Sequence, residues 1–106
     1  MLRLNLRGAD PGRHLAGGTY AARCNSDLLP VIARARSLAA GRPLLGAGIS
    51  LGGTMLLNAA LASPGVLDGL FCASSPLDLA ACSASIERPR NRVYQRWLLK
   101  LSLIHI

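Results

Sequence analysis

Pro43-Leu44-Leu45-Gly46-Ala47-Gly48-Ile49-Ser50-Leu51-Gly52-Gly53-Thr54-Met55-Leu56-Leu57-Asn58-Ala59-Ala60-Leu61-Ala62 is the stretch whose reading decides the fold. Residues 43–48 form a short apolar run of the kind a buried strand uses. Residues 54–62 are rich in Ala, Leu and Met, all strong helix formers. Between them stands G-x-S-x-G, and strand, G-x-S-x-G, helix is the context of a nucleophile elbow. The turn is so tight that Ser50 takes a strained backbone conformation, and the residues two before and two after it must be small. Gly48 and Gly52 meet that demand, and Gly53 adds a further small residue. Ser50 Oγ then stands above the sheet edge at a helix N-terminus, where the helix dipole and the Leu51 backbone N–H favour a developing oxyanion. Two other readings compete. A Gly-rich turn with an ordinary exposed serine fits the five residues alone. A dinucleotide-binding G-x-G-x-x-G starting at Gly46 needs glycine at 51, where Leu51 stands.

Outward from the elbow, the chain alternates strands and helices. Leu2-Arg3-Leu4-Asn5-Leu6 alternates apolar and polar residues and predicts a short strand. Residues 8–18, with Gly8, Asp10-Pro11-Gly12 and Gly17-Gly18, predict a loop. Asn25 or Ser26 is the expected cap of a helix to about Ala40, with Asp27 in its first turn. Leu28, Ile32, Ala35 and Ala39 share one face of it and Gly41 stops it; Pro30 is late for a first-turn proline. After the elbow helix, Pro64-Gly65 is a stop and 67–73 a further strand. Ser75-Pro76-Leu77-Asp78 reads as a cap, a first-turn proline and an acid, opening a helix to about Ile86. Pro89 breaks it, and Asn91 is the expected cap of a last helix with Val93, Trp97, Leu98 and Leu101 on one side. The pattern is α/β, with about three mostly parallel strands alternating with helices.

At 106 residues the chain is one domain at most. Hydrophobic residues make up 51 %, which excludes a disordered composition. The net charge of +7 rests on eleven scattered arginines and Lys100, with one local cluster, Arg88, Arg90, Arg92 and Arg96. Aromatics are scarce, so a base-stacking platform is not expected, nor is nucleic-acid binding. Cys24, Cys72 and Cys82 are odd in number and lack metal spacing; they read as reduced, mostly buried thiols of a cytoplasmic protein. His14 and His105 are too isolated for a metal site, and no cofactor is expected. Residues 43–67 carry no charge, but their five-glycine, two-proline composition fits strand, turn and helix better than a membrane span.

Several elements occur in the order seen in YheT-like α/β-fold hydrolases. They are Asn5-Leu6-Arg7-Gly8, Gly18-Thr19-Tyr20, Asp27-Leu28, the elbow 48–53, Ser75-Pro76-Leu77-Asp78-Leu79 and Asn91-Arg92-Val93-Tyr94. The resemblance covers residues 2 to about 100. It departs at Tyr20-Ala21-Ala22-Arg23, where the family commonly reads Tyr-His-Ala-Gly, and at Thr54, where Asn is common. It implies the central part of a hydrolase domain over 1–100, holding the family's strands 4, 5 and 6, with strand 3 absent from between 4 and 5. Strand 2–6 is then expected either to pair non-natively beside 43–48 or to stay unpaired. In the family the triad aspartate and histidine follow the serine; Asp68 and Asp78 lie too early for that role. Residues 101–106, Leu-Ser-Leu-Ile-His-Ile, match no family segment and read as a non-native tail, so His105 is not expected to be catalytic.

The resemblance implies a serine hydrolase of carboxylic esters, with Ser50 as nucleophile, Leu51 as oxyanion donor and a small-molecule or lipid-like ester as substrate. Two further readings stand beside it. One is a catalytically inactive, truncated hydrolase. The other is a basic interaction module for nucleic acid or anionic lipid, which only the net charge supports.

Overall fold

The computed structural model describes residues 1–9, 13–15 and 17–105, with side chains to 101. It divides into two compact units, Met1–Ser75 and Pro76–Ile106.

The first unit is built on α1 (Asn25–Ala39), β1 (Leu45–Ile49), α2 (Leu51–Ala62) and β2 (Gly69–Ala73). The strands pair in parallel, from Leu45 opposite Gly69 to Ile49 opposite Ala73. Parallel neighbours need a crossover, and α2 supplies it. The fold is therefore α/β, with a two-stranded sheet among the described residues. Of the two outcomes expected for 2–6, the unpaired one is found: Leu2 to Leu6 joins no ladder and takes no strand conformation, and residues 1–5 are exposed. Alternation alone does not make a strand when no neighbour offers hydrogen bonds. An ion pair holds this segment instead. The Arg7 guanidinium donates from Nε and Nη2 to the two Asp27 carboxylate oxygens at 2.8 and 2.7 Å. Gly8, at φ +74°, lies so close to Gly18 and Thr19 that a Cβ there would come within 2.6 Å of the Gly18 carbonyl oxygen. The Arg7-Gly8, Gly18-Thr19 and Asp27 elements thus form one structural cluster. Of the loop between them, Asp10-Pro11-Gly12 and Ala16 lie outside the described residues.

The helix ends differ from expectation in instructive ways. Cys24, with no side-chain cap bond, is the N-cap of α1. Asn25 lies inside the helix, its buried Oδ1 without a hydrogen-bond partner among the described residues. Pro30 sits within α1. At the far end Ala40 itself turns left-handed, at φ 51°, before Gly41 does so at 84°. The Arg42 backbone N–H and Nε both donate to the Ala39 carbonyl at 3.1 Å, satisfying an end that lacks helical donors.

The core joins α1 to α2. Leu28 (2 % exposed) and Ile32 bring the predicted face of α1 against Met55 (1 %) and Ala59 of α2, with Cys24 beside them. Asn58 Nδ2 donates to the Ala22 carbonyl at 2.9 Å, fastening α2 to the segment before α1. Asp68 accepts from the Leu44 backbone N–H at 2.6 Å and from Arg36 Nη1 at 2.5 Å, while its own N–H donates to the Leu44 carbonyl. That carboxylate ties the entrances of both strands to α1. The sheet face turned from α2 stays bare: Leu45, Ile49 and Phe71 are exposed on it.

The second unit holds α3 (Leu79–Ile86), a 3-10 turn (Pro89–Asn91) and α4 (Arg92–His105). Its cap is Asp78, whose carboxylate accepts from the Ala81 N–H at 2.9 Å; Ser75 does not cap it, and Pro76 precedes the helix rather than opening it. The described bond of the Asn91 side chain runs back to the Ser85 carbonyl at 2.6 Å rather than into α4. The tail expected from 101 begins inside α4; the His105 side chain and Ile106 lie outside the described residues.

Candidate active site

β1 ends at Ile49 and α2 begins at Leu51, so a single residue makes the strand-to-helix turn. Ser50 makes it with φ 54° and ψ −130°, outside the regions that residues with a Cβ ordinarily occupy. Such a conformation costs on the order of 1–3 kcal/mol and persists only where the surroundings over-determine it. Here they do. The Ser50 N–H donates to the Ala73 carbonyl at 2.8 Å, extending the sheet ladder by one bond, and its carbonyl accepts from the Gly53 and Thr54 N–H groups at 3.0 and 3.4 Å. Both sides of the turn are pinned, one to β2 and the other to α2. The Ser50 side chain is left exposed.

The glycines divide unequally. A Cβ on Gly48 would stand 2.5 Å from Gly53 Cα and 2.6 Å from Gly53 N, against backbone that cannot move aside. Gly48 is thus what lets α2 approach β1. A Cβ on Gly53 would run into Ser75 Oγ and stand 3.1 Å from the Gly48 carbonyl oxygen. A Cβ on Gly52 meets nothing within 4 Å. The small residue required after the serine is therefore Gly53, not Gly52, because α2 turns its Gly53 side toward β1 and the end of β2.

The first amides of a helix have no partner within it. Among the described residues the N–H groups of Leu51 and Gly52 donate to no acceptor, whereas Gly53 and Thr54 are engaged by Ser50. The positive end of α2 and the free Leu51 N–H lie one residue from Ser50, in an arrangement suited to an anion on an atom attached to Oγ.

Asp27 and Asp68, the described carboxylates of the first unit, have structural occupations. Arg36 holds the Asp68 carboxyl, with help from the Leu44 N–H, below the ordinary value of 3.8. Arg7 does the same for Asp27. Burial first, and the nearby Asp27 charge second, push the Cys24 thiol up, which keeps it protonated and unreactive. Cys24, Cys72 and Cys82 are all free, with Cys24 buried and the other two half-buried. Ser50 Oγ itself makes no hydrogen bond among the described residues.

Ser74 went unread in the sequence, and Ser75 was read only as a helix cap. Ser74, at φ 50°, and Ser75 follow β2 as Ser50 follows β1. Because Ile49 and Ala73 are in register, the residues after both strands emerge side by side. Ligands of parallel sheets gather at such strand ends. The available signal was a serine at the end of the second expected strand, 67–73, as at the end of the first.

The chain is 37 % identical over 97 residues to phospholipase ABHD3 of Mus musculus, and 36 % identical over 97 residues to phospholipase ABHD3 of Homo sapiens. Each match takes in 90 % of this chain and 22 % of the relative, so the chain spans about a fifth of the length of these curated relatives. No family model matches the chain. No solved structure matches it either. The similarity to these relatives supports an α/β-hydrolase relationship and does not single out the YheT-like branch.

Proposed function

We propose that the chain carries the nucleophile segment of a serine hydrolase acting on carboxylic esters, of the YheT-like branch, with Ser50 as the attacking group. The single observation that carries this reading is the backbone of Ser50, held at φ 54° between two pinned elements with its side chain exposed. An ordinary strand-to-helix turn has no need of that strain.

In the proposed reaction Ser50 Oγ attacks the acyl carbonyl and loses its proton to a general base. The carbonyl oxygen becomes an oxyanion facing the Leu51 N–H and the positive end of α2. Collapse expels the alcohol, which takes up the proton, and leaves an acyl ester on Ser50. Water then attacks that ester, releasing the carboxylic acid and restoring the hydroxyl. The similarity to a phospholipase favours a lipid-like ester as the substrate class. Three free thiols favour a reducing, cytoplasmic setting. Among the described residues no helix is long and apolar enough to cross a membrane.

A second reading, a hydrolase segment without catalytic power of its own, is favoured by two observations: Asp27 and Asp68 are committed to arginines, and no described group bonds Ser50 Oγ. A serine without a base is a weak nucleophile. Intact-mass analysis after exposure to a fluorophosphonate probe separates the two. A single adduct on this chain, absent from Ser50→Ala, is the expected result for an activated nucleophile. No adduct on either protein favours the second reading, and an adduct that survives Ser50→Ala overturns the choice of residue.

A further inference from the structure

α4 has an exposed side that the hydrolase reading leaves unused. Arg92, Arg96 and Lys100 follow one another at intervals of four, so they form a stripe along one flank of the helix. Beside that stripe run Val93 and Trp97, 82 % and 55 % exposed, and then Tyr94 and Leu101. The rings of Tyr94 and Trp97 stack with centroids 6.0 Å apart. Gln95 and Leu98 are half-buried and share a groove of about 240 Å³ with Ser83, Ile86 and Glu87, so α3 engages a different flank. Arg88 and Arg90 extend the cationic run before the helix, and no carboxylate occurs between 88 and 101.

We infer that α4 is an interfacial helix that lies on an anionic phospholipid surface. A cationic stripe bordering an apolar face is the pattern of a helix lying in the plane of a membrane interface. Trp and Tyr, apolar rings with one polar atom, suit the headgroup level. Fourteen residues span about 21 Å at 1.5 Å per residue, too short to cross a hydrocarbon layer of about 30 Å. Charge complementarity selects anionic headgroups. The exposed apolar flank selects a bilayer over nucleic acid, because a phosphate backbone offers nothing for Val93 and Leu101 to enter.

Trp97 is the chain's one tryptophan, so its fluorescence reports on this face alone. The test is sedimentation of the 106-residue chain with vesicles, alongside the Trp97 emission spectrum. Vesicles of phosphatidylcholine alone are compared with equimolar phosphatidylcholine and phosphatidylserine. Binding and a blue shift are expected with the anionic vesicles only, weakening as salt rises. Replacing Arg92, Arg96 and Lys100 together by Gln is expected to lower partitioning about a hundredfold, from about fivefold per cation. Val93→Asp is expected to abolish the blue shift; Val93 is exposed, so helicity by circular dichroism should not change. Equal binding to both vesicles, or to neither, overturns the inference. A blue shift that grows with protein concentration without vesicles assigns the face to a second copy and overturns it too. So does a shift with duplex DNA and none with vesicles. Vesicle binding does not involve Ser50 and probe labelling does not involve α4, so this inference and the nucleophile reading fail separately.

Discussion

Residues 1–75 and 76–106 reach order by different means. In the first unit strands, helices and turns are fixed by close approach: Gly48 against Gly53, Gly8 against Gly18, Leu28 and Ile32 against Met55 and Ala59. In the second unit no described residue is buried, and Val93, Tyr94, Trp97 and Leu99 are all exposed. Its helices rest on a carboxylate cap, a proline-opened turn and one side-chain bond from Asn91 to Ser85. Local hydrogen bonds set where a helix begins. Only packing holds a backbone in a conformation it would otherwise avoid. The strained Ser50 accordingly belongs to the packed unit, and the exposed amphipathic helix belongs to the other.

The comparison breaks first at Gly48. Gly48→Ala places a methyl 2.5 Å from helix backbone. Overpacking costs about 1–3 kcal/mol where neighbours can yield, and here they cannot. A loss of more than about 4 kcal/mol, or of the cooperative urea transition altogether, is expected for the first unit. A variant that unfolds like the parent would mean that α2 does not sit where Gly48 allows it. Next comes Met55→Ala, with an expected loss of about 3 kcal/mol from a fully buried site. Leu98→Ala, half-buried in the second unit, should cost no more than about 1 kcal/mol, a fraction of the roughly 1.5–3 kcal/mol that full burial of such a side chain is worth. Equal losses from the two would erase the distinction between the units.

Smaller effects sharpen it. Gly52→Ala meets open space, and in a helical first turn it should stabilise by about 0.5 kcal/mol. A thermal melt that moves downward instead would restore Gly52 to the role that Gly53 holds. The smallest effect is that of pH. Asp27 and Asp68 ionise below the ordinary 3.8 because of Arg7 and Arg36. Their contribution is therefore present above that value and lost as pH falls through the lower folded-state values. The expected decline lies below about pH 4 and should be reduced in Asp68→Asn; a decline of unchanged size in that variant would remove Asp68 from the account.

Much of the architecture was legible from local pattern. β1 and β2 fall within two residues of their expected bounds, and α2 and α3 end where expected but begin three residues early and three residues late, because a uniform apolar or helix-forming run marks an element better than it marks its first turn. The Leu28–Ile32 face of α1 came from its spacing, which a helix fixes. The failures share one cause. Residues 2–6 alternate as a strand does, yet a strand needs a neighbour to bond. Ser75 has a cap residue's chemistry, yet Asp78 takes the N–H of Ala81. Asn25 likewise has a capping side chain, yet Cys24 occupies the position.

By itself the sequence determined that a serine stands in a glycine-flanked turn between an apolar strand and a helix, because residue type and spacing alone carry that. It also determined the cationic spacing of α4. Only the tertiary structure decided which glycine is indispensable, since space at Gly48, Gly52 and Gly53 depends on where α2 and Ser75 come to rest. It alone decided that Asp68 is a staple for Leu44 and Arg36, and that the two serine-bearing strand ends emerge side by side. Those facts arise from contacts between residues far apart in the chain, and no local periodicity encodes them.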